Sequence, residues 1–307
     1  MSTRVEVFEV GLRDGLQNEP RILSTADKIY FARELVACGI RDLELGAFVR
    51  PDRVPQMADS GRLFALIRSK RSDWGPARLW SLVPNRVGLH RALAVGSRNF
   101  ALFTAATNGF AEKNIGMSIA KSLREFQAVK QIAEESADGR VRFRGYVSTA
   151  FGCPIEGKVS SKKALKVIEA LAKLPVDQIS IGDTIGVADP RGVEAVLRPA
   201  LREWGVSRIA VHFHDTRGTA LANSLRALDL GVRVIDSSLG GLGGCPFAPG
   251  AAGNLATEDL IYMLNGMRIK TGIDLDSLAR LSLLMAKKLK RPITSRYVQA
   301  WAKSKCE

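Results

Sequence analysis

Apolar positions along this chain switch between two spacings, and the switch repeats about eight times. The short β-rich runs are VEVFEVG (5–11), RDLELGAF (41–48), RLWSLVP (78–84), FALFTAA (100–106), VRFRGYVSTA (141–150), QISIGD (178–183), IAVHFHD (209–215) and VRVIDSS (232–238). Their length and their β-branched and aromatic content predict strands. Between them lie segments with apolar residues at helical spacing: ADKIYFARELVACG, NRVGLHRALAVG, SIAKSLREFQAVKQIAEES, SKKALKVIEALAKL, PRGVEAVLRPALREW and RGTALANSLRALDLG. Several end in Gly or open after Ser or Pro, as helix ends do. Strands separated by helices pair in parallel, and eight evenly spaced units favour closure into a (β/α)8 TIM barrel over an open doubly wound sheet. After the eighth run comes a Gly-rich stretch, GGLGGCPFAPGAAGN (240–254), then two helical segments expected near 255–266 and 275–290. The expectation is one α/β unit over 1–307, with the barrel over about 4–245. A loop and helical extension over about 246–307 would pack on it.

Barrels of this kind carry their chemistry at the C-terminal ends of the strands. That places Arg13 and Asp14 at the end of the first strand, Glu44 on the second and Asp183 at the end of the sixth. The seventh contains His212-Phe213-His214, two of the chain's three histidines. Residues i and i+2 of a strand share a face, so the two imidazoles point the same way. With Asp14 they would make a three-ligand set for a divalent metal; hydrogen-bonded imidazoles in a polar barrel mouth are the alternative. Arg13 would stabilise an enolate oxygen beside that metal, or serve only as a salt-bridged arginine. Glu44 would orient Arg13 or move a proton, or pair with another cation. His90 falls within a helical pattern and reads as structural or superficial.

The glycine-rich stretch admits three readings. Gly241, Gly243 and Gly244 would bring backbone amides to a phosphate, or hinge a lid that brings Cys245 to the site, or form a connector with an incidental thiol. GLGGCP lacks the Gly-Lys-Ser/Thr that ends a P-loop. Asn254 could add an amide oxygen to the metal.

Bulk properties narrow the field. An apolar fraction of 46% and a charged fraction of 25% are those of a globular protein. No run approaches the length of a membrane span. The N-terminal segment shows neither an apolar h-region nor a transit-peptide composition, so a cytoplasmic location is expected. Cys38, Cys153, Cys245 and Cys306 form no C-x-x-C pair, which argues against a structural zinc site and fits a reducing compartment. The net charge is +14, and residues 267–307 hold ten Lys/Arg against three Asp/Glu. A polyanionic small substrate or a solvated basic face accounts for that better than nucleic acid, because the cations are dispersed without interleaved aromatics.

Taken in order, the segments FEVGLRDGLQNEP (8–20), VPQMADS (54–60), GYVSTAFGCPIEGK (145–158), SIGDTIGVADP (180–190), AVHFHDTRGTALAN (210–223) and DSSLGGLGGCPFAPGAAGNLATEDLIYML (236–264) resemble the 3-hydroxy-3-methylglutaryl-CoA (HMG-CoA) lyase family. The similarity runs from about residue 4 to about 300. The resemblance implies a Mg²⁺ or Mn²⁺ ion held by Asp14, His212, His214 and Asn254; two imidazoles and a carboxylate would also suit Fe(II). It implies that Arg13 stabilises the enolate of departing acetyl-CoA. Glu44 and Asp183 would be nearby catalytic carboxylates, and Cys245 a loop cysteine handling a proton. His212 or Asp183 would take the hydroxyl proton, with Gln17, Tyr146, Gly241, Gly243 and Gly244 as loop or substrate contacts. The implied partner is an acyl-CoA thioester, neither nucleic acid nor membrane, and a homodimer or higher homo-oligomer is expected. After Glu44 the family usually has Thr-Ser-Phe-Val and a Pro-Lys pair, whereas this chain reads Gly46-Ala47-Phe48-Val49-Arg50-Pro51-Asp52-Arg53. That departure keeps citramalyl-CoA or a longer 3-hydroxy-3-alkylglutaryl-CoA open as substrate. A Claisen-type synthase of the same superfamily is a further alternative, although such enzymes lack GLGGCP.

Overall fold

A computed structural model describes residues 4–245 and 248–304, with all of their side chains except those of Arg71, Cys245 and 248–252. Eight strands form one closed barrel: β1 (Glu6–Glu9), β2 (Asp42–Ala47), β3 (Arg78–Leu82), β4 (Asn99–Ala105), β5 (Arg142–Ser148), β6 (Gln178–Asp183), β7 (Ile209–Phe213) and β8 (Val234–Ser237). Each pairs in parallel with its neighbour in sequence, and β8 closes on β1. Helices α1 (Thr25–Ala37), α2 (Ser60–Arg68), α3 (Arg86–Ala94), α4 (Asn108–Ile115), α5 (Ile119–Ser136), α6 (Ser161–Ala172), α7 (Pro190–Trp204) and α8 (Ala220–Asp229) fill the crossovers. The extension adds α9 (Thr257–Gly266), α10 (Leu275–Leu289) and α11 (Arg296–Ser304).

The strands read as near-continuous apolar runs because helices cover one face and the barrel interior the other; all six residues of β2 are buried. The helices follow their sequence signals. The Ser160 side chain accepts the Lys163 N–H ahead of α6, which buries Ala164, Val167, Ile168 and Leu171 at helical spacing. Asp189 caps α7 through the Arg191 and Gly192 amides, and Pro190 occupies its first turn.

Three expectations need correction. The first strand stops at Glu9, and Gly11–Gly15 coils into a single π-helical turn, with the Gly15 N–H donating to the Val10 carbonyl at 3.1 Å. Arg13 and Asp14 therefore stand on a turn above the barrel rim and not on the strand. Glu9 braces this turn by accepting the Gly11 N–H at 2.7 Å. α2 and α4 were missed, each of nine residues or fewer. So was α11, a nine-residue helix anchored by Asp259, which accepts the Tyr297 amide at 2.8 Å and the Ser295 hydroxyl at 2.7 Å. Among the described residues, no helix is long and apolar enough to cross a membrane.

Strand-like pairing lays the start of the extension across the barrel mouth. The Asp215 N–H donates to Gly253, Leu255 to Phe213 and Ser238 to Leu255, at 2.7, 3.1 and 2.9 Å. A bridge between His214 and Asn254 results. Residues 40 apart in sequence thus face each other at the top of β7.

Candidate metal centre and active site

Asp14, from the first turn, meets His212 on β7 and His214 just beyond it, with one ligand atom from each lying within 4.8 Å of the others. His212 Nε2 is 3.9 Å from Asp14 Oδ2, and the two imidazole centroids are 5.2 Å apart. Asn254 donates through Nδ2 to Asp14 Oδ2 at 2.9 Å and to the Leu242 carbonyl at 3.1 Å. Its Oδ1 and the His214 Nδ1 are buried without a hydrogen-bond partner. Buried polar atoms are rarely left unpaired, because the lost hydration is costly. An anionic oxygen and two imidazoles converging at one point fit a divalent cation, and the Asn254 amide lies against the same carboxylate. Asp14, His212 and His214 therefore form a candidate metal site.

The electrostatics agree. Burial alone would raise the Asp14 pKa, but the charges of Arg13, His212 and His214 and the Asn254 hydrogen bond hold it well below the usual carboxylate range. Burial together with the charge of His212 pushes His214 down to about 4, so this imidazole is a neutral donor near pH 7. At His212 burial pulls the pKa down, but the hydrogen bond and charge of Asp236 outweigh it and the value rises.

Arg13 stands beside this cluster as a buried fork. Its Nε donates to Glu44 Oε2 at 2.8 Å, and Nη2 lies 2.5 Å from that oxygen. Nη1 donates to Asp14 Oδ1 at 2.6 Å. Tyr146 donates to Glu44 Oε2 at 3.2 Å and puts its ring 5.6 Å from the guanidinium. Glu44 Oε1 has no partner, and burial raises the Glu44 pKa against the charge of Arg13. Gln17 donates to Asp14 Oδ1 at 3.0 Å. Arg13, Asp14, Gln17, Glu44 and Tyr146 are thus brought together, although they come from three separate stretches of the chain.

Asp183 ends β6 with its two oxygens accepting the Val187 and Ala188 amides at 3.1 and 2.9 Å. Burial raises its pKa, with those amides and the charge of His212 opposing. Two buried charged residues linked to His212, Asp236 and Arg144, escaped the sequence reading. Asp236 on β8 is the Cα partner of His212 and accepts from Arg144 of β5. The signal was available: a carboxylate inside the last barrel run, VRVIDSS, next to the strand that carries the histidines. His90 is exposed on α3, as expected.

The glycine stretch has a role that none of the three readings included. Gly241 and Gly243 adopt φ of +68° and +114°, which side chains disfavour. A Cβ on Gly243 would stand 2.7 Å from Asn254 Nδ2, so this glycine makes room for the Asn254 side chain beside Asp14. Gly244 has open space around it and pairs, with Cys245, against Ala248–Ala252. The Cys245 side chain and Cys306 lie outside the described residues. At the mouth of β2, a Cβ on Gly46 would meet Ser60 Oγ at 2.8 Å, and Asp52 forms an exposed pair with Arg50 at 2.7 Å.

Two buried carboxylates pin the base of this stretch. Glu9 accepts the Leu239 amide at 2.9 Å and the Thr257 hydroxyl at 2.6 Å; Glu258 accepts the Gly240 amide and the Ser282 hydroxyl. Burial pushes Glu9 up to about 7 and Glu258 up to about 8, against those hydrogen bonds. A carboxyl whose folded pKa lies above its unfolded value stabilises fully below the unfolded pKa and loses that contribution as pH rises through the folded one. Glu258→Gln removes the titration. Urea midpoints should therefore show the variant gaining on the parent, by on the order of a few kcal/mol, as pH rises from about 5 to about 9. A pH-independent offset would contradict the assignment.

Comparison with known proteins brings the geometry into a family context. The HMGL-like family model matches residues 4–285. The mitochondrial hydroxymethylglutaryl-CoA lyase of Pongo abelii is 43% identical over 300 residues, covering 98% of this chain and 90% of the relative. The solved HMG-CoA lyase of Bacillus subtilis is 40% identical with a TM-score of 0.92, covering 98% of this chain and 100% of that one. An HMG-CoA lyase of Acinetobacter baumannii, solved in complex with coenzyme A and 3-methylmalate, is 35% identical with a TM-score of 0.88, covering 98% and 96%.

Proposed function

This chain belongs to the HMG-CoA lyase family, and on that premise we propose that it cleaves (S)-3-hydroxy-3-methylglutaryl-CoA to acetyl-CoA and acetoacetate by a retro-Claisen reaction. The observation that carries the reading is the convergence of Asp14, His212 and His214 beside the buried Arg13–Glu44 pair. The ion would be Mg²⁺ or Mn²⁺, because Asp14 and Asn254 both offer oxygens, the hard donors these ions select. When bound, such a cation supplies Lewis acidity at the oxygens of the substrate.

The remaining steps belong to side chains. The tertiary hydroxyl of the substrate loses its proton, the C2–C3 bond breaks, and the electron pair passes to the thioester as an enolate. His212 has Nδ1 engaged by Asp236 at 3.2 Å and Nε2 turned to the metal site, so it is poorly placed to take that proton. Asp183, with a raised pKa and within the electrostatic reach of His212, is the better acceptor. Arg13 holds a fixed positive charge for the enolate oxygen, preorganised by Glu44 and Asp14 so that it needs no rearrangement. Cys245 or a water held by its loop returns a proton to the enolate carbon and completes acetyl-CoA.

A substrate carrying coenzyme A is supported by the relative solved with that molecule, and the net charge of +14 would steer such a polyanion. The test is a panel of HMG-CoA, citramalyl-CoA and a longer 3-hydroxy-3-alkylglutaryl-CoA, each incubated with Mg²⁺. The expected result is equimolar acetyl-CoA and acetoacetate from HMG-CoA, abolished by EDTA and restored by Mg²⁺ or Mn²⁺. Turnover of another member of the panel with none of HMG-CoA would overturn the substrate assignment.

A further inference from the structure

Beneath the metal site a second set of charges crosses the barrel. Asp236 is 1% exposed and its side chain is fully buried, as is that of Arg144. Arg144 stands on β5, three strands away, and reaches through the interior to give its Nη2 hydrogen bond to Asp236 Oδ1. The Phe8 ring lies 3.7 Å from its guanidinium carbon and the Tyr146 ring 5.0 Å. The other carboxylate oxygen, Oδ2, accepts the Ser180 hydroxyl at 3.0 Å and faces His212 Nδ1 at 3.2 Å.

We infer that Asp236, held by Arg144 and Ser180, is the positioning residue that fixes His212 as a metal ligand through Nε2. Every neighbour of this carboxylate other than His212 can only donate or is donating. The ionised carboxylate can only accept, so Nδ1 must carry the proton and Nε2 keeps its lone pair, 3.9 Å from Asp14 Oδ2. Ligating histidines are commonly oriented by a carboxylate on the second nitrogen, and losing that partner typically weakens metal binding about 10–100-fold. The inference rests on the metal site proposed above, and extends it to Asp236, Arg144 and Ser180, which are not in its ligand set.

Arg144 makes the test sharp. A guanidinium has no acceptor, so in Asp236→Asn the amide oxygen must face Arg144. The amide NH₂ then takes the place of Oδ2 and donates to His212 Nδ1, which forces the proton onto Nε2 and removes the ligand. The expected result for D236N is an Mn²⁺ dissociation constant raised by about 100-fold or more, because the ligand is lost together with its outer partner. One of the two imidazole nitrogen couplings should also vanish from the electron spin echo spectrum of the Mn²⁺ complex. In R144M/D236N the amide is free to turn over, and much of the affinity and the second coupling should return. A structural role alone would not give rescue by a second substitution.

Should D236N fail to fold, R144M/D236A, which buries neither charge, serves in its place; it removes the orienting partner without donating to Nδ1, so Mn²⁺ should bind about 10–100-fold more weakly with both couplings kept. Wild-type affinity with both couplings in whichever variant folds overturns the inference. Failure of the unsubstituted protein to show two imidazole couplings would instead overturn the metal site itself, so the two failures are distinct.

Discussion

Arg13→Met lowers kcat by on the order of 10³-fold on this account, because it removes a fixed cation beside the proposed enolate. Arg13 is buried, and three of its nitrogens are engaged by Glu44 and Asp14 at 2.5–2.8 Å. Its position is set before substrate arrives, and that preorganisation is what the variant loses. Methionine fills similar space without charge. Glu44, whose pKa burial already raises, can take up a proton and stay neutral. Mn²⁺ affinity should change far less than turnover, since Arg13 supplies no ligand. Arg13→Lys keeps the charge but cannot reproduce the fork, so only part of the rate returns. Parallel steady-state kinetics and Mn²⁺ titration check this, and near-normal turnover in the methionine variant would refute the role.

His214→Ala gives the second large effect, on binding instead of on the chemical step. Loss of an outer partner costs about 10–100-fold in affinity, so loss of a ligand itself should exceed about 100-fold. The fold should tolerate the change, because His214 Nδ1 has no hydrogen-bond partner in the protein to be stranded. Removing the ring also removes a buried polar atom that only a ligand would satisfy. Mn²⁺ titration followed by electron paramagnetic resonance, with thermal unfolding alongside, separates the outcomes. Retained tight binding would exclude His214 from the ligand set.

Much of this arrangement was legible in the chain. Eight alternations of period announce the barrel because every strand is buried on both faces and each long helix has one apolar stripe. His212 and His214 follow from strand alternation alone. What escaped depends on contacts made across long sequence separations. The π-helical turn that lifts Arg13 and Asp14 off β1 is held by Glu9, which also grips Leu239 and Thr257 more than 200 residues away. No local propensity encodes that turn. Asn254 was singled out by its place after the glycines, but its position against His214 comes from pairing between the extension and β7. In sequence Gly243 reads as a phosphate cradle, a hinge or part of a plain connector, and its close approach to Asn254 shows only in the folded chain. Arg144 and Asp236 were passed over because their pairing across the barrel, between β5 and β8, joins positions 92 residues apart in sequence. α2, α4 and α11 are each short, and their formation depends on tertiary partners more than on their own periodicity.

The claim on which the rest depends is that the first turn, the seventh strand and the start of the extension hold one divalent cation between them. The most direct measurement is an anomalous difference map from crystals soaked in Mn²⁺. The account predicts a single strong peak at the barrel mouth, about 2.0–2.3 Å from Asp14, His212 Nε2, a ring nitrogen of His214 and Asn254 Oδ1. A map without a peak there under saturating Mn²⁺, or with the peak bound by other residues, would contradict it.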